Sequence, residues 1–318
     1  MTSIEIWAFK LWHKTRRVLN SPRWQISIQA LLVALSFFSL GFIFYKNRDQ
    51  LTNYRWNLNF YFALPAFALH SMDLALAIGS WHRIYTRLGA PLSLREDVKT
   101  YCLFCVTRRL SAGIWSFASR VLLYATAGMP SGLTITSIIV ERLFIAMTGL
   151  VLSLSFLLFR SLWITPWCIP ALVVIVSLFG SLIVYPRILQ AGLAFLLHRL
   201  SQEDPIGGKP LNSREILLWS LWYLLIWLLG GSFFYATVRI VYPLPPVQLL
   251  DMVGLWVMAG TVNALLYFIP SGLWVTEISL VMLMSHYIPT PAAVVVTVLA
   301  RLIITAGESL WLLASLRL

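Results

Sequence analysis

The sequence predicts an all-α polytopic membrane protein of about seven or eight membrane segments, some of them broken or re-entrant, with a two-fold internal repeat. Three observations predict it. Of the 318 residues 59% are hydrophobic and 11% charged, with a mean hydropathy of +0.80, whereas soluble domains carry about a quarter charged residues. The apolar residues arrive in runs near the 20 or so that span a bilayer. Two Gly-Trp breaks recur at a fixed offset, as set out below.

Taken in order, residues 1–23 place Ile4, Trp7, Leu11 and Trp12 on one helical stripe, away from Lys10, Lys14 and Arg17, which predicts an amphipathic helix in the headgroup region. The run 26–45 reads as a span, because no small-residue cleavage site ends it. Further segments are expected at 58–81, at 98–106 with a broken continuation to 124, and at 135–159 and 162–185. After them come 216–241, 249–268, a shorter run 273–284, and 292–316. Residues 24–318 thus read as a single membrane domain, with half-repeats at about 24–185 and 214–318 joined by a polar linker, 186–213. The turn-rich centre of that linker, Gln202-Glu203-Asp204-Pro205 and Gly207-Gly208-Lys209-Pro210, is the expected hinge.

Lys and Arg number 24 against 12 acids, giving +12. Such a balance raises nucleic acid as a partner, but the bases sit at the ends of apolar runs, where they favour a cytoplasmic face and anionic lipid headgroups. They crowd the first 23 residues and segments 83–99 and 187–214, which predicts a cytoplasmic N-terminus in a cell membrane. Lys46, Arg48 and Arg55 load a loop that this scheme puts outside. Cys102 and Cys105 stand one helical turn apart in apolar surroundings. No histidine or second cysteine pair accompanies them, so a buried pair is favoured over a metal or redox site.

Ser111-Ala112-Gly113-Ile114-Trp115 resembles Pro270-Ser271-Gly272-Leu273-Trp274, with 272 − 113 = 159. The same offset aligns Trp115 with Trp274, Pro130 with Pro289, and Arg142 with Arg301. Gly- or Pro-broken helices at matching places in two halves mark a site near the bilayer midplane in many transporters. Whether the repeat is parallel or inverted depends on the number of crossings per half, which the sequence leaves open.

Ionisable residues fall inside the apolar runs: Arg120, Glu141, Arg142, Glu277, Arg301 and Glu308. Each costs on the order of 3 kcal/mol at a bilayer centre, so each needs a partner, a wet cavity or a role. They pair to fix helix packing, as Arg301 with Glu277 or Glu308, or the arginines hold an anion through their planar fork of donors. The two readings are compatible. Helices interrupted at Gly113 and Gly272 would present unpaired N–H groups to an anionic headgroup, and such backbone is tolerated at depth only where it lines a cavity. His70 and Asp73, one turn apart, lack a third ligand or a nucleophile, which favours a mutually hydrogen-bonded pair over acid–base or metal chemistry. With no phosphate loop, serine elbow or zinc signature, no enzyme activity and no cofactor are expected.

Arg109 through Trp115 with Arg120, followed by Glu141-Arg142-Leu143, and then Ile269-Pro270-Ser271-Gly272-Leu273-Trp274-Val275-Thr276-Glu277 with Arg301, resemble the two signature blocks of the lysylphosphatidylglycerol synthase transmembrane region, the flippase-like domain of the multiple peptide resistance factor. The chain departs from the pattern at Ser111, where Pro is common, and at Trp274, where Gly is. The likeness runs from about residue 24 to the end. It implies a lipid flippase or lipid transporter in the cytoplasmic membrane of a bacterium or archaeon, handling an anionic or zwitterionic headgroup. The fused aminoacylating domain of the resistance factors is not expected here. On this reading Arg142 and Arg301 contact phosphate, Glu141, Glu277 and Glu308 orient them or meet a cationic headgroup, and Arg109, Gly113, Trp115, Arg120 and Gly272 complete the site. Rival readings are a membrane scaffold or regulator of lipid or cell-envelope glycan synthesis, which would bring a protein partner, and an intramembrane transferase built on His70 and Asp73. A homo-oligomer is compatible with each.

Overall fold

The computed structural model describes residues 58–108, 114–160, 168–201, 210–266 and 275–317, all within one compact unit, Asn53–Leu318. The expected interfacial helix and the run 26–45 lie outside the described residues. Ten α-helices are present among the described residues: α1 (Ala63–Arg87), α2 (Leu94–Thr107), α3 (Ile114–Thr126), α4 (Ser131–Arg160), α5 (Cys168–Val184), α6 (Pro186–Ser201), α7 (Ser213–Val241), α8 (Leu249–Leu265), α9 (Val275–Met284) and α10 (Thr290–Ser315). Five of them, α1, α4, α7, α8 and α10, are long and apolar enough to cross a membrane, or six segments if the bent pair α5–α6 counts as one. That is fewer than the seven or eight expected. Residues 26–45 are not among those described, and the contacts below place α2–α3 and α8–α9 in returning hairpins, so the length of α8 does not by itself make it a crossing.

Side-chain contacts fix the direction of each helix. At one face, A, the end of α1 meets the start of α7, where Arg87 Nε donates to Glu215 Oε1 at 2.6 Å. At the other, B, Asn59 N–H donates to Ile240 O at 2.8 Å, so α1 and α7 are antiparallel. From face A, α2 enters and α3 returns: Tyr124, near the end of α3, donates its hydroxyl to Asp97 in the first turn of α2. Its ring lies 5.1 Å from that of Tyr85, near the end of α1. Next, α4 leaves face A, where Thr134 Oγ1 is 2.9 Å from Tyr85 OH. It reaches face B, where Arg160 Nη2 meets Asp251 Oδ2 at 2.6 Å.

The second half mirrors this from the opposite side. Helix α8 enters from face B and α9 returns there, since Tyr287, just past α9, donates to Asp251 Oδ1 at 3.4 Å. Helix α10 then runs back to face A, where Trp311 and Leu312 pack on the face-A core. The order of long helix, hairpin, long helix thus occurs twice in opposite orientation, with Ser131 and Thr290, the first residues of α4 and α10, 159 apart. The halves interlock: α4 packs on α8 of the other half, and α10 on α2. Two large apolar cores result among the described residues, with a smaller cluster of Trp227, Val253 and Val257. One gathers Trp81, Tyr85, Phe104 and Phe144 toward face A, the other Phe234, Met252, Met284 and Val296 toward face B.

Between the halves α5 carries the chain from B to A, presenting Ile169, Val173, Val174 and Leu178 outward. Helix α6 turns 84° from it. It lies at face A, where Gln190 Oε1 accepts from Leu211 N–H, so the expected polar linker holds a helix over its first 16 residues. Capping boxes start α2 (Ser93 with Glu96) and α7 (Asn212 with Glu215), both at face A.

Candidate functional site

The long helices bring charge to mid-depth. Eleven residues separate Ser131 from Arg142 and Thr290 from Arg301 (142 − 131 = 301 − 290 = 11), about 16 Å along each helix at 1.5 Å per residue. That is half of a hydrocarbon core about 30 Å thick. Entering from opposite faces, the two helices set these arginines at one level. The hairpins stop short beside them: α2 ends at its cap residue Arg108 and α8 at Leu266, each just before a predicted break.

A cavity of about 410 Å³ lies among these helices. Its walls carry the bases Arg108, Arg142 and Arg301, the acids Asp73, Glu141, Glu277 and Glu308, and His70, with the rings of Trp227 and Trp256. A second hollow, about 530 Å³, lies at face B beside Leu58, Tyr61 and Arg239. It holds a single charged lining residue, so the intramembrane charge identifies the first as the site.

Each of the three intramembrane glutamates that the sequence singled out is held by a base. Glu277 Oε1 accepts from Arg301 Nη1 at 2.7 Å, pinning α9 to α10. Glu141 Oε2 accepts from Arg120 Nη1 at 2.5 Å, pinning α3 to α4, and lies 4.0 Å from Arg142. The two pairs occupy matching places in the halves with acid and base exchanged. Glu308, 1% exposed, accepts from Arg108 Nη2 at 2.8 Å, which joins the first hairpin to the last helix.

Among the expected headgroup residues, Glu141, Arg142, Glu277, Arg301 and Glu308 meet on the cavity wall. Arg120 does not. Its guanidinium is 1% exposed and lies 3.5 Å from the ring centre of Trp81, 4.9 Å from Tyr101 and 4.8 Å from Phe104. Cation–π contacts and Glu141 hold it behind the wall, with its Nε buried and meeting no acceptor among the described residues, so its place is in the packing between helices. Arg109, Gly113 and Gly272 lie outside the described residues, as does the side chain of Trp115. His70 and Asp73 line the cavity without bonding to each other. His70 packs its ring 5.5 Å from Phe233, and Asp73 Oδ1 accepts no hydrogen bond.

Sequence reasoning missed Arg108, the base of the Glu308 pair. The one signal was Glu308 itself, an intramembrane acid in need of a base, and the chain offered several candidates. Chemically, the wall sets three guanidinium groups against four carboxyl groups, so no broad positive field draws anions in. A polar group in this cavity would meet local geometry instead, an anionic oxygen the planar fork of Arg142 or Arg301.

No curated protein and no solved structure matches the chain. The family model described as the lysylphosphatidylglycerol synthase TM region matches residues 24–311, a stretch that contains both hairpins and every residue of the cavity wall. With its apolar helices, interrupted hairpins and intramembrane arginines, this multi-pass membrane protein belongs to the lysylphosphatidylglycerol synthase transmembrane-region family.

Proposed function

We propose that the protein is a lipid transporter of the flippase kind, which passes the polar headgroup of a phospholipid or related lipid through the cavity while its acyl chains stay in the bilayer. One observation carries this reading: a cavity at half the depth of the hydrocarbon, lined by Arg142 and Arg301 from oppositely oriented halves. An intramembrane charge marks a wet cavity or a role, and an inverted repeat lets either half open toward its own face. Glu277 fixes the Arg301 guanidinium at 2.7 Å and Glu141 stands 4.0 Å from that of Arg142, which places both planar forks on the cavity wall where a phosphate would meet them. Nothing in this reading requires chemistry on the lipid, and no cofactor enters it. Face A, which carries the exposed Arg83, Arg95, Lys99, Arg187 and Arg214, is assigned to the cytoplasm.

Proteoliposomes containing a fluorescent phospholipid test the proposal, with outer-leaflet dye bleached chemically at intervals. The wild-type protein is expected to expose inner-leaflet dye faster than empty vesicles do. Removing charge-assisted hydrogen bonds of about 1.5–3 kcal/mol by Arg301→Ala is expected to slow exposure about tenfold or more. Equal rates for empty, wild-type and Arg301→Ala vesicles would reject transport of the lipids used.

A further inference from the structure

Every glutamate on the cavity wall has an arginine, but Asp73 forms no ion pair among the described residues. Its Oδ1 is buried and accepts no hydrogen bond, although it lies in the middle of α1 and on the cavity wall. The titratable and charged groups that share the cavity wall with it are His70 on its own helix, Tyr101, Cys105 and Arg108 from α2 and its cap, Glu141 and Arg142 from α4, Glu277 from α9, and Arg301 and Glu308 from α10. From α7 come Ile226, Trp227 and Phe233, none of them titratable. The charges acting on it are those of Arg108 and Glu308, which already satisfy each other at 2.8 Å.

We propose that Asp73 is a proton-binding site of the cavity, carrying a proton in the state described here and exchanging it with water in the cavity. As a carboxylic acid it can stand in this wall without a cation. As a carboxylate it must acquire one, since a buried charge without a partner costs several kcal/mol. A metal ion does not fit that need, because no three His, Cys, Asp or Glu side chains converge among the described residues and hard cations require several oxygen ligands.

Arg108 is the base within reach of the new charge. When the O–H bond of Asp73 breaks and the proton leaves to water, the remaining carboxylate competes with Glu308 for Arg108. Arg108 is the C-cap residue of α2, so deprotonation draws the end of α2 away from α10 toward α1, and reprotonation returns it. The consequence for transport rests on the lipid-carrier reading; the protonation site itself does not.

A hydrophobic carbodiimide provides the test, because it adds to protonated carboxyls in apolar surroundings and leaves ionised, arginine-paired ones unmodified. Purified full-length protein is treated at about pH 6 and at about pH 9, and adducts are mapped by peptide mass spectrometry. The expected result is an adduct on Asp73 that diminishes at the higher pH and is lost in Asp73→Asn, with Glu277 and Glu141 unmodified at both. Absence of any Asp73 adduct at the lower pH, in protein whose thermal unfolding matches that of untreated samples, overturns the proposal. The readout needs no lipid movement, so it stands or falls separately from the vesicle assay.

Discussion

Arg120 shows how one residue is decided by its surroundings. An arginine a turn and a half after Trp115, in a run rich in apolar residues, reads from sequence as a ligand contact. Placed between Trp81, Tyr101 and Phe104 and bound to Glu141, it joins α1, α2, α3 and α4. Its removal is therefore a stability effect. Arg120→Leu leaves Glu141 buried with only Arg142 at 4.0 Å, and a loss of about 3–5 kcal/mol is expected, read as a large drop in the thermal unfolding midpoint in detergent. Arg120→Lys keeps the charge but not the planar fork or the stacking, and falls between. Which positions were ionisable within apolar runs was legible in the sequence. Which base meets which acid was not: the partners of Glu308 and Asp251 lie 200 and 91 positions away, a separation that no local pattern encodes.

Packing among the helices turns on small residues, since lipid tails offer no hydrophobic drive for association and close approach must supply it. At Gly231 of α7 a methyl group would come 2.6 Å from the Cα of Val253 on α8, so the two helices would have to separate. Gly231→Ala is expected to cost about 1–3 kcal/mol through overpacking. Gly180→Ala, on α5 with nothing within 4 Å among the described residues, is expected to be neutral or to stabilise by about 0.5–1 kcal/mol from helix propensity. Thermal unfolding of the two variants side by side checks the contrast. At this scale the sequence showed where helices lie, because apolar runs and caps are local. It marked some segments as broken or re-entrant but not which of them return, because an apolar run reads the same whether it crosses or turns back. The contact that reveals the return of α3 is between Tyr124 and Asp97. Helix α6 was hidden for a related reason: the Gly- and Pro-rich residues after it coloured the whole stretch as linker.

For the molecule as a whole, the offset of 159 was visible as a handful of matched Gly, Trp, Pro and Arg residues, while its inversion was not. Orientation is a property of crossings, and the crossings became countable only once the hairpins were known. Inversion is what brings Arg142 and Arg301 to one cavity from opposite faces, so the lipid-carrier reading depends on it. Single-cysteine accessibility in sealed vesicles of known sidedness tests it most directly, in a variant lacking Cys102, Cys105 and Cys168. Ala127→Cys, exposed where the first hairpin returns to face A, and Ser285→Cys, exposed where the second returns to face B, are treated with a membrane-impermeant maleimide. Labelling of the two from opposite sides of the membrane is the predicted result. Labelling of both from the same side contradicts it, and with it the convergence of the two halves on a shared cavity.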